Sequence, residues 1–330
     1  MKLALRDPMR AHGVGERLGF LNGCLAMQAV FVGAVEGSRV ALEALIQAGR
    51  TPALVVTLSD DVAHRHSDFA DLTSPARTAG CEVLHVTDIN APGTLDAIRA
   101  VKPDLCMVIG WSQICREPFR EIAPIGNIGF HPAPLPKLRG RAVIPWTILT
   151  NQLTTGSTLF WLDEGVDSGD ILLQRTFDVA PEETARTLYR KHLAVLTEFL
   201  PEALALVESG TARRIAQDHS LATYCAKRTA DDGLIDWREP AKDILRLISA
   251  DGDPYPGAFT LHKGERLIID ASALFSRSDR YIGLVGQVQC HTEKGFVVLC
   301  GDGICIEVTQ WRRTSEGRPR VHVKLGAADR

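Results

Sequence analysis

The chain has 330 residues, of which 45% are hydrophobic and 23% are charged, and its formal net charge is -3. This composition excludes a disordered or low-complexity chain, and the length favours two domains over one. No apolar run approaches the roughly 18 residues that a membrane span needs, and the near-neutral charge argues against a nucleic-acid partner.

The first 26 residues precede the first strand-like segment, and we interpret residues 1–26 as an N-terminal extension. Charged residues such as Arg6, Asp7 and Arg10 interrupt its apolar positions, which is not the pattern of a secretory signal. The eight cysteines are scattered, without a Cys-x-x-Cys pair or a disulfide-dense spacing. We therefore expect reduced thiols, a cytoplasmic location and no metal site.

Short apolar runs alternate with helix-like segments in the first part of the chain. The run QAVFVG (28–33) precedes the helix-like SRVALEALIQAG (38–49), and further apolar runs follow at 52–58, 81–87 and 104–110. This alternation predicts an α/β fold, with a Rossmann-like, mostly parallel sheet and helices on both faces. The first turn, GAVEGS, lacks the G-x-G-x-x-G spacing, so we do not expect a dinucleotide there.

Two loops in the middle of the chain carry histidine and acidic side chains of the kind that act in acid-base catalysis. A short strand ends at His131 and leads into a proline-rich, cationic loop. A second strand-like run, STLFWL (157–162), ends in a glycine-bearing loop with four acidic residues, Asp163, Glu164, Asp167 and Asp170. Because ligands of open α/β sheets meet the carboxyl ends of strands, we expect the two loops to face each other.

The last third of the chain has short strand-like runs separated by turn signals: RLIIDA, GLVGQVQC, GFVVLC and ICIEVTQW. The sequence Gly301-Asp302-Gly303 between the last two is a hairpin signal. This pattern predicts a smaller, OB-like C-terminal β-barrel. The predicted organisation is an extension over 1–26, a catalytic domain over 27–206, a linker over 207–222, the barrel over 223–313 and a tail over 314–330.

The central loops resemble the folate-dependent formyltransferase family, which includes methionyl-tRNA formyltransferase, glycinamide ribonucleotide formyltransferase and the nucleotide-sugar N-formyltransferases. The family pattern N-x-H-x-S-L-L-P is partly matched by GFHPAPLP (129–136), and its D-x-G-D by Asp167-Ser168-Gly169-Asp170. Asp167 follows His131 by 36 residues, a spacing that agrees with the family. The resemblance covers about residues 27–311.

The resemblance implies that a formyl group moves from N10-formyltetrahydrofolate, the cosubstrate, to an amine. Attack by the amine builds negative charge on the formyl oxygen and positive charge on nitrogen. The resemblance assigns His131 to stabilising the oxyanion or relaying a proton, and Asp167 to orienting the imidazole and helping to remove the amine proton. Positioned acid-base groups of this kind contribute about 10² to 10⁴ in rate.

Gly129 is the main departure from the family pattern, which has an asparagine at this place. Loss of an oxyanion donor costs about 10² to 10³ in turnover where an enzyme relies on it. Asn127 shares the strand face, because side chains alternate with period two. We include Asn127 as a third catalytic candidate, although it lies too far along the strand to replace the missing amide directly.

The resemblance also suggests where the folate binds. One wall would be the loop after the run at 104–110, with Trp111, Gln113 and Ile114 as candidates. The other wall would be the start of the acidic loop, with Asp163, Glu164, Gly165 and Val166.

Lys137, Arg139 and Arg141 place three cations within five residues. We predict that Arg139 and Arg141 bind a phosphate or carboxylate on the acceptor, since Arg binds either bidentately. Arg139-Gly140-Arg141 resembles the version in nucleotide-sugar formyltransferases, which favours a small-molecule amine, a nucleotide-linked amino sugar, as substrate. The alternatives are a hydroxyornithine formyltransferase of siderophore biosynthesis, a methionyl-tRNA formyltransferase and a non-catalytic folate- or nucleotide-binding module. A homodimer is also considered.

Overall fold

A seven-stranded sheet organises the first two thirds of the chain. The computed structural model describes residues 27–63, 68–312 and 317–326, so the predicted extension over 1–26 lies outside the described residues. The strands, in chain order, are β1 (Ala29–Val32), β2 (Leu54–Leu58), β3 (Glu82–Val86), β4 (Leu105–Val108), β5 (Gly126–His131), β6 (Arg139–Gly140), β7 (Thr154–Trp161) and β8 (Ile171–Asp178). All but β6 join this sheet, in the order β3-β2-β1-β4-β5-β7-β8.

The first five strands of the sheet are parallel, and β7 and β8 run antiparallel to their neighbours. The mostly parallel, Rossmann-like sheet predicted from the alternating pattern is therefore confirmed. Among the described residues, seven helices accompany it: α1 (Glu36–Gln47), α2 (Asp60–Ala63), α3 (Thr73–Thr78), α4 (Pro92–Val101), α5 (Glu117–Arg120), α6 (Val143–Leu149) and α7 (Ala185–Glu208).

Strand β1 shows why helices cover both faces. Its alternate residues Ala29 and Phe31 belong to a core that includes side chains of α1 and α7. Val30 and Val32 point the other way, into a core that includes side chains of α4 and α5. Each fully buried apolar side chain contributes about 1.5–3 kcal/mol, so a strand that is apolar at every position is stable only between two helical layers.

The turn between β1 and α1 is closed by the side chain of Ser38, in the first turn of α1. Its hydroxyl donates to Ile109 O at 2.6 Å and accepts from the backbone N–H groups of Ala34 and Val35 at 3.0 and 3.1 Å. A Cβ at Gly33 would lie 2.4 Å from Ser38 Cβ. The backbone donors that hold a phosphate in nucleotide-binding turns are therefore already bonded here.

The segment after α7 returns to the catalytic part of the chain. Ile215 forms a β-bridge with Ile171 at the start of β8, and a short strand β9 (Tyr224–Cys225) pairs in parallel with β6. Residues predicted as a linker, and the first residues predicted as barrel, thus contact the large sheet's loops. The domain boundaries given above stay predictions.

A second sheet forms from the C-terminal part. After α8 (Ala241–Asp251) come β10 (Ala258–His262), β11 (Glu265–Leu274), β12 (Val288–His291), β13 (Phe296–Leu299) and β14 (Cys305–Arg312). They pair in the order β10-β11-β14-β13-β12, all antiparallel, and pack on α8. This confirms a separate, smaller antiparallel domain. The predicted strand at 283–290 begins only at Val288, because the chain turns at Gly286, where φ is 77°.

Neither a membrane-crossing helix nor a metal-ligand cluster is found in the part of the chain that the structure describes. Its helices are too short or too polar to cross a membrane. Within the same residues, no three His, Cys, Asp or Glu side chains come together in a way that could hold a metal ion.

Candidate active site

The acidic loop reaches His131 by folding back, and not by following a parallel strand. Strand β7 is antiparallel to β5, so its end at Trp161 lies beside Ile128, and Thr158 lies beside His131. The loop after Trp161 then returns along the sheet until the Asp167 carboxylate approaches the imidazole. The two loops face each other as predicted, although the geometry that brings them together differs from the one that we expected.

His131 is almost fully buried at the end of β5. Its Nε2 lies 2.7 Å from Leu138 O. Because a carbonyl oxygen only accepts, Nε2 carries a proton and donates it to this bond. Its Nδ1 lies 3.6 Å from Asp167 Oδ2, so Nδ1 is the ring atom that faces the carboxylate.

Asp167 is held in place from both its side chain and its backbone. Its Oδ2 accepts a hydrogen bond from Gly140 N at 2.8 Å, and its carbonyl accepts from Gln217 Nε2 at 3.0 Å. Gln217 Nε2 also donates to Gly169 O at 2.6 Å, which fixes the turn of the loop. A Cβ at Gly140, where φ is 103°, would lie 2.5 Å from Cys225 O, so only glycine brings this N–H to the carboxylate.

Arg139 has a different role from the one predicted. Its side chain is buried, with 2% exposure, and its Nη2 donates to Gln217 Oε1 at 2.6 Å while Nη1 lies 3.3 Å from Tyr224 OH. A guanidinium that is enclosed by these partners is not available to an acceptor phosphate, which corrects the substrate-binding assignment. Arg141, two residues on, is exposed and stays a candidate.

Gln217 is a site residue that the sequence interpretation missed. It joins Arg139 to the backbone of the acidic loop. A single glutamine in a segment interpreted as a linker offers no spacing pattern, and its partners lie 48 to 78 residues away. Only the path of the chain after α7 reveals it.

Asn127 does not supply the donor that Gly129 lacks. Its Nδ2 donates to Arg120 O at 2.8 Å, at the end of β5 that is remote from His131. The direct catalytic role that we predicted for Asn127 is therefore not supported by its placement. At Gly129, a Cβ would lie 2.7 Å from Leu162 Cδ2 and 3.1 Å from the Phe160 ring. Those two side chains occupy the space where an asparagine would begin.

The predicted folate loop presents its backbone and one apolar side chain. Gln113 is used internally, because Nε2 donates to Thr87 O and Oε1 accepts from Ile89 N. Asn90 bonds Ile114 O and Arg116 N, both at 2.9 Å, and so fixes the loop. Ile114 is 67% exposed, whereas Trp111 is partly buried against the apolar side chains of the first strands.

The predicted opposite wall of the folate site, at the start of the acidic loop, also combines an ordered backbone with an exposed apolar side chain. Asp163 accepts from Gly165 N and Ser168 Oγ and thereby shapes the acidic loop, while Glu164 is exposed and Val166 is 50% exposed. Exposed Ile114 and Val166, together with an ordered loop backbone, fit a flat heteroaromatic ring that needs apolar contact and hydrogen bonds. The assignment of these residues to folate binding stays a prediction.

Comparison with known proteins matches both parts of the chain. A model described as formyl transferase matches residues 29–204, and one described as formyl transferase, C-terminal domain, matches residues 227–320. Methionyl-tRNA formyltransferase of Desulfotalea psychrophila is 36% identical over 91% of this chain and 91% of its own length. Further curated relatives of the same name are 29–33% identical.

Two solved structures share the fold. HypX from Aquifex aeolicus, in complex with tetrahydrofolic acid, superposes with a TM-score of 0.63 at 20% identity, over 88% of this chain and 45% of that chain. WlaRD, a sugar 3N-formyl transferase, gives a TM-score of 0.61 at 19% identity, over 88% of this chain and 99% of that one. At these sequence identities the superpositions show only that the fold is shared.

These relatives correct two expectations. The preference for a nucleotide-linked amino sugar is wrong, because the relatives that match nearly the whole chain at 29–36% identity are methionyl-tRNA formyltransferases. The argument against a nucleic-acid partner is wrong for the same reason, since the substrate in that name is a tRNA. Net charge describes the whole surface and does not exclude a local site.

Three findings agree. The family models span most of the chain, similar relatives match it over nearly their full length, and His131 lies beside Asp167. This chain belongs to the folate-dependent formyltransferase family and is an N10-formyltetrahydrofolate-dependent formyltransferase.

Proposed function

We propose that this enzyme formylates the amino group of methionyl-tRNA. The similarity to methionyl-tRNA formyltransferases supports the proposal most strongly, because it extends through both parts of the chain, including the C-terminal domain. We further propose that the enzyme acts in the cytoplasm, where its tRNA substrate is found.

The paired side chains suit the proton movements of this transfer. The donor supplies a formyl carbon that the methionyl amine attacks, and the amine must lose a proton as the new C–N bond forms. Asp167 Oδ2, fixed by Gly140 N, lies 3.6 Å from His131 Nδ1. The carboxylate therefore stabilises positive charge on the ring, and the two groups together can hold the amine proton until the folate nitrogen leaves with it.

Leu138 O gives His131 a fixed orientation during this step. The bond from Nε2 to Leu138 O directs Nδ1 towards Asp167. A ring that is anchored at one nitrogen cannot rotate away, and such pre-positioning avoids reorganisation at the moment of reaction. In our proposal, His131 and Asp167 form the catalytic pair, and Gly140 and Gln217 position it.

The test is release of tetrahydrofolate from N10-formyltetrahydrofolate by the purified protein. We expect release that depends on methionyl-tRNA, a loss of about 10² or more in turnover for His131→Ala and for Asp167→Asn, and near wild-type activity for His85→Ala. His85 is an exposed histidine on β3 and serves as the matched control. Release with free amines but none with methionyl-tRNA would refute the proposed acceptor while leaving the transferase in place.

A further inference from the structure

The carbonyl that anchors His131 belongs to a residue in an uncommon backbone conformation. Leu138 has a φ of 59°, in the left-handed region, which residues with a Cβ seldom adopt. Its carbonyl oxygen accepts from His131 Nε2 at 2.7 Å. Residues stay in such a conformation only where the surrounding structure holds them there. The direction of this carbonyl therefore depends on contacts that other residues make with Leu138.

Thr223, the residue before β9, holds Leu138 from both sides. Leu138 N donates to Thr223 Oγ1 at 2.8 Å, and Arg139 N donates to Thr223 O at 2.8 Å. The first N–H belongs to the peptide unit that precedes Leu138, and the second belongs to the unit that follows it. Because φ and ψ are the rotations between these two planar units, the two hydrogen bonds together fix both angles of Leu138.

The second of these peptide units also carries the anchor of the catalytic histidine. The N–H of Arg139 and the carbonyl of Leu138 lie on opposite sides of one planar trans unit, so Thr223 O binds one side and His131 Nε2 binds the other. A single hydrogen bond leaves a peptide unit free to rotate about that bond. The bond from Leu138 N to Thr223 Oγ1 removes this freedom. The hydroxyl of Thr223 therefore sets the direction in which the carbonyl meets the imidazole.

The imidazole transmits this constraint to the acidic loop. Its ring is rigid, so a shift of Leu138 O displaces Nδ1, which lies 3.6 Å from Asp167 Oδ2. Proton movement between positioned groups depends on their alignment, and a small misplacement lowers the rate of the step without weakening the binding of substrate.

We propose that Thr223 is a positioning residue of this enzyme, whose hydroxyl orients His131 through Leu138. The inference rests on the proposed function, since it concerns the histidine to which that function assigns the proton movements. The Thr223 side chain is exposed, and its backbone bond to Arg139 N does not need the hydroxyl. Its replacement therefore removes one hydrogen bond and leaves the pairing of β6 with β9 in place.

The experiment compares Thr223→Val, Thr223→Ser and Thr78→Val in formylation of methionyl-tRNA. Valine has the shape and stiffness of threonine without the hydroxyl, whereas serine keeps the hydroxyl. Thr223→Val should lower kcat about threefold to tenfold, the effect of losing one hydrogen bond, and Thr223→Ser should retain about half or more of the wild-type kcat. The KM for methionyl-tRNA and the KM for N10-formyltetrahydrofolate should not change in either variant.

Thr78→Val is the matched control. Thr78 is an exposed threonine at the end of α3, and its hydroxyl also bonds one backbone atom, Ser74 O, at 2.8 Å. Helix α3 packs beside β3, the strand at the far edge of the sheet from His131. The same chemical change at this place should leave both kcat and KM at their wild-type values.

NMR of protein with isotope-labelled histidine observes the imidazole directly, without any substrate. The Nε2–H signal of His131 is identified by its absence from His131→Ala. Because a hydrogen-bonded proton exchanges with water only when its bond opens, we expect exchange about threefold or more faster in Thr223→Val than in wild type. Thr223→Ser should return the exchange rate towards that of wild type.

A loss of kcat in Thr223→Val that Thr223→Ser restores, together with the faster exchange, supports the inference. Wild-type kcat in Thr223→Val, equal losses in both variants, a change confined to KM, or a loss of kcat without faster exchange would each overturn it. A wild-type enzyme that fails to formylate methionyl-tRNA would instead overturn the proposed function, and the exchange measurement would still test whether Thr223 orients His131.

Discussion

At position 129, a side chain would require its neighbours to move, because a Cβ would lie 2.7 Å from Leu162 Cδ2 and 3.1 Å from the Phe160 ring. The Phe160 ring and Leu162 occupy part of the space that a larger residue would need. Phe160 lies on β7 directly beside Gly129 on β5, and Leu162 follows the end of β7. An asparagine at this position would therefore have to displace these two side chains.

We predict that Gly129→Asn lowers the free energy of unfolding by about 1–3 kcal/mol, the usual cost of overpacking a core. Combining it with Phe160→Leu should cost less than the sum of the two single changes, because the smaller side chain frees space for the amide. Urea unfolding of the wild type, both single variants and the double variant measures this coupling. If the losses in free energy of unfolding from the two single changes simply add in the double variant, the Phe160 side chain does not restrict the size of the residue at position 129.

At the same residue scale, motifs identified His131 and Asp167 because their spacing in the sequence is characteristic. Arg139 was assigned wrongly, because its exposure depends on Gln217 and Tyr224, which lie 78 and 85 positions away. A sequence motif shows which residues occur together at a fixed spacing along the chain. It does not show which side chains bury them in the folded protein.

Helix α7 carries a buried histidine against strand β7. The ring of His192 has no exposed surface, and its Nδ1 lies 2.8 Å from Ser157 Oγ. Burial, with smaller electrostatic contributions from His131 and Lys191, lowers the pKa of His192 to about 3. The contact between α7 and β7 is therefore built around a neutral imidazole.

This burial predicts a stability that falls in acid. An unfolded histidine binds its proton near pH 6.5, whereas folded His192 does not until about pH 3, so protons favour the unfolded chain between these values. At about pH 5 the loss from this residue is about 2 kcal/mol. His192→Leu should remove that part of the pH dependence in urea unfolding at about pH 7.5 and pH 5, and His85→Ala should not. Equal pH dependence in wild type and His192→Leu would contradict the prediction.

Elements whose residues are buried on both faces were the easiest to predict. Strands β1, β2 and β4 are apolar throughout and were recognised as strands of a parallel sheet. Strand β8 was not identified as a separate strand, because Gln174, Arg175 and Thr176 in its middle are exposed at the edge of the sheet. Its sequence therefore lacks the regular alternation that predicts a half-buried strand.

On the scale of the whole molecule, the segment after α7 connects the two parts of the site. Gln217 accepts from the buried Arg139 and donates to two carbonyls of the acidic loop. We predict that Gln217→Ala lowers the free energy of unfolding by about 1–3 kcal/mol, since buried polar groups lose their partners, and that it lowers kcat because Asp167 loses its backbone support.

Gln217→Glu is the informative comparison, because it keeps an acceptor for Arg139 and removes the amide donor to the acidic loop. It should recover part of the stability lost in Gln217→Ala but little of the activity. Urea unfolding and steady-state formylation of the same preparations measure both effects. Full activity in Gln217→Ala would mean that the acidic loop holds its shape without this residue.

The partner of the enzyme was the property least visible in the sequence. The net charge of -3 sums the whole chain, whereas Arg141 and Lys227 line the same cleft because β6 pairs with β9. Charge that is concentrated by folding cannot be read from a total.

The pairing of β6 with β9 also sets the time at which the catalytic loop is completed during synthesis. A ribosome that adds about 5–20 residues per second delivers His131 and Asp167 well before Gln217, Tyr224 and Cys225. Until those residues emerge, Arg139 has no acceptor and Gly140 has no strand to pair with. A nascent chain that has progressed only to the end of α7 therefore holds the reactive residues without the contacts that order them, and we expect a polypeptide released at that point to be inactive.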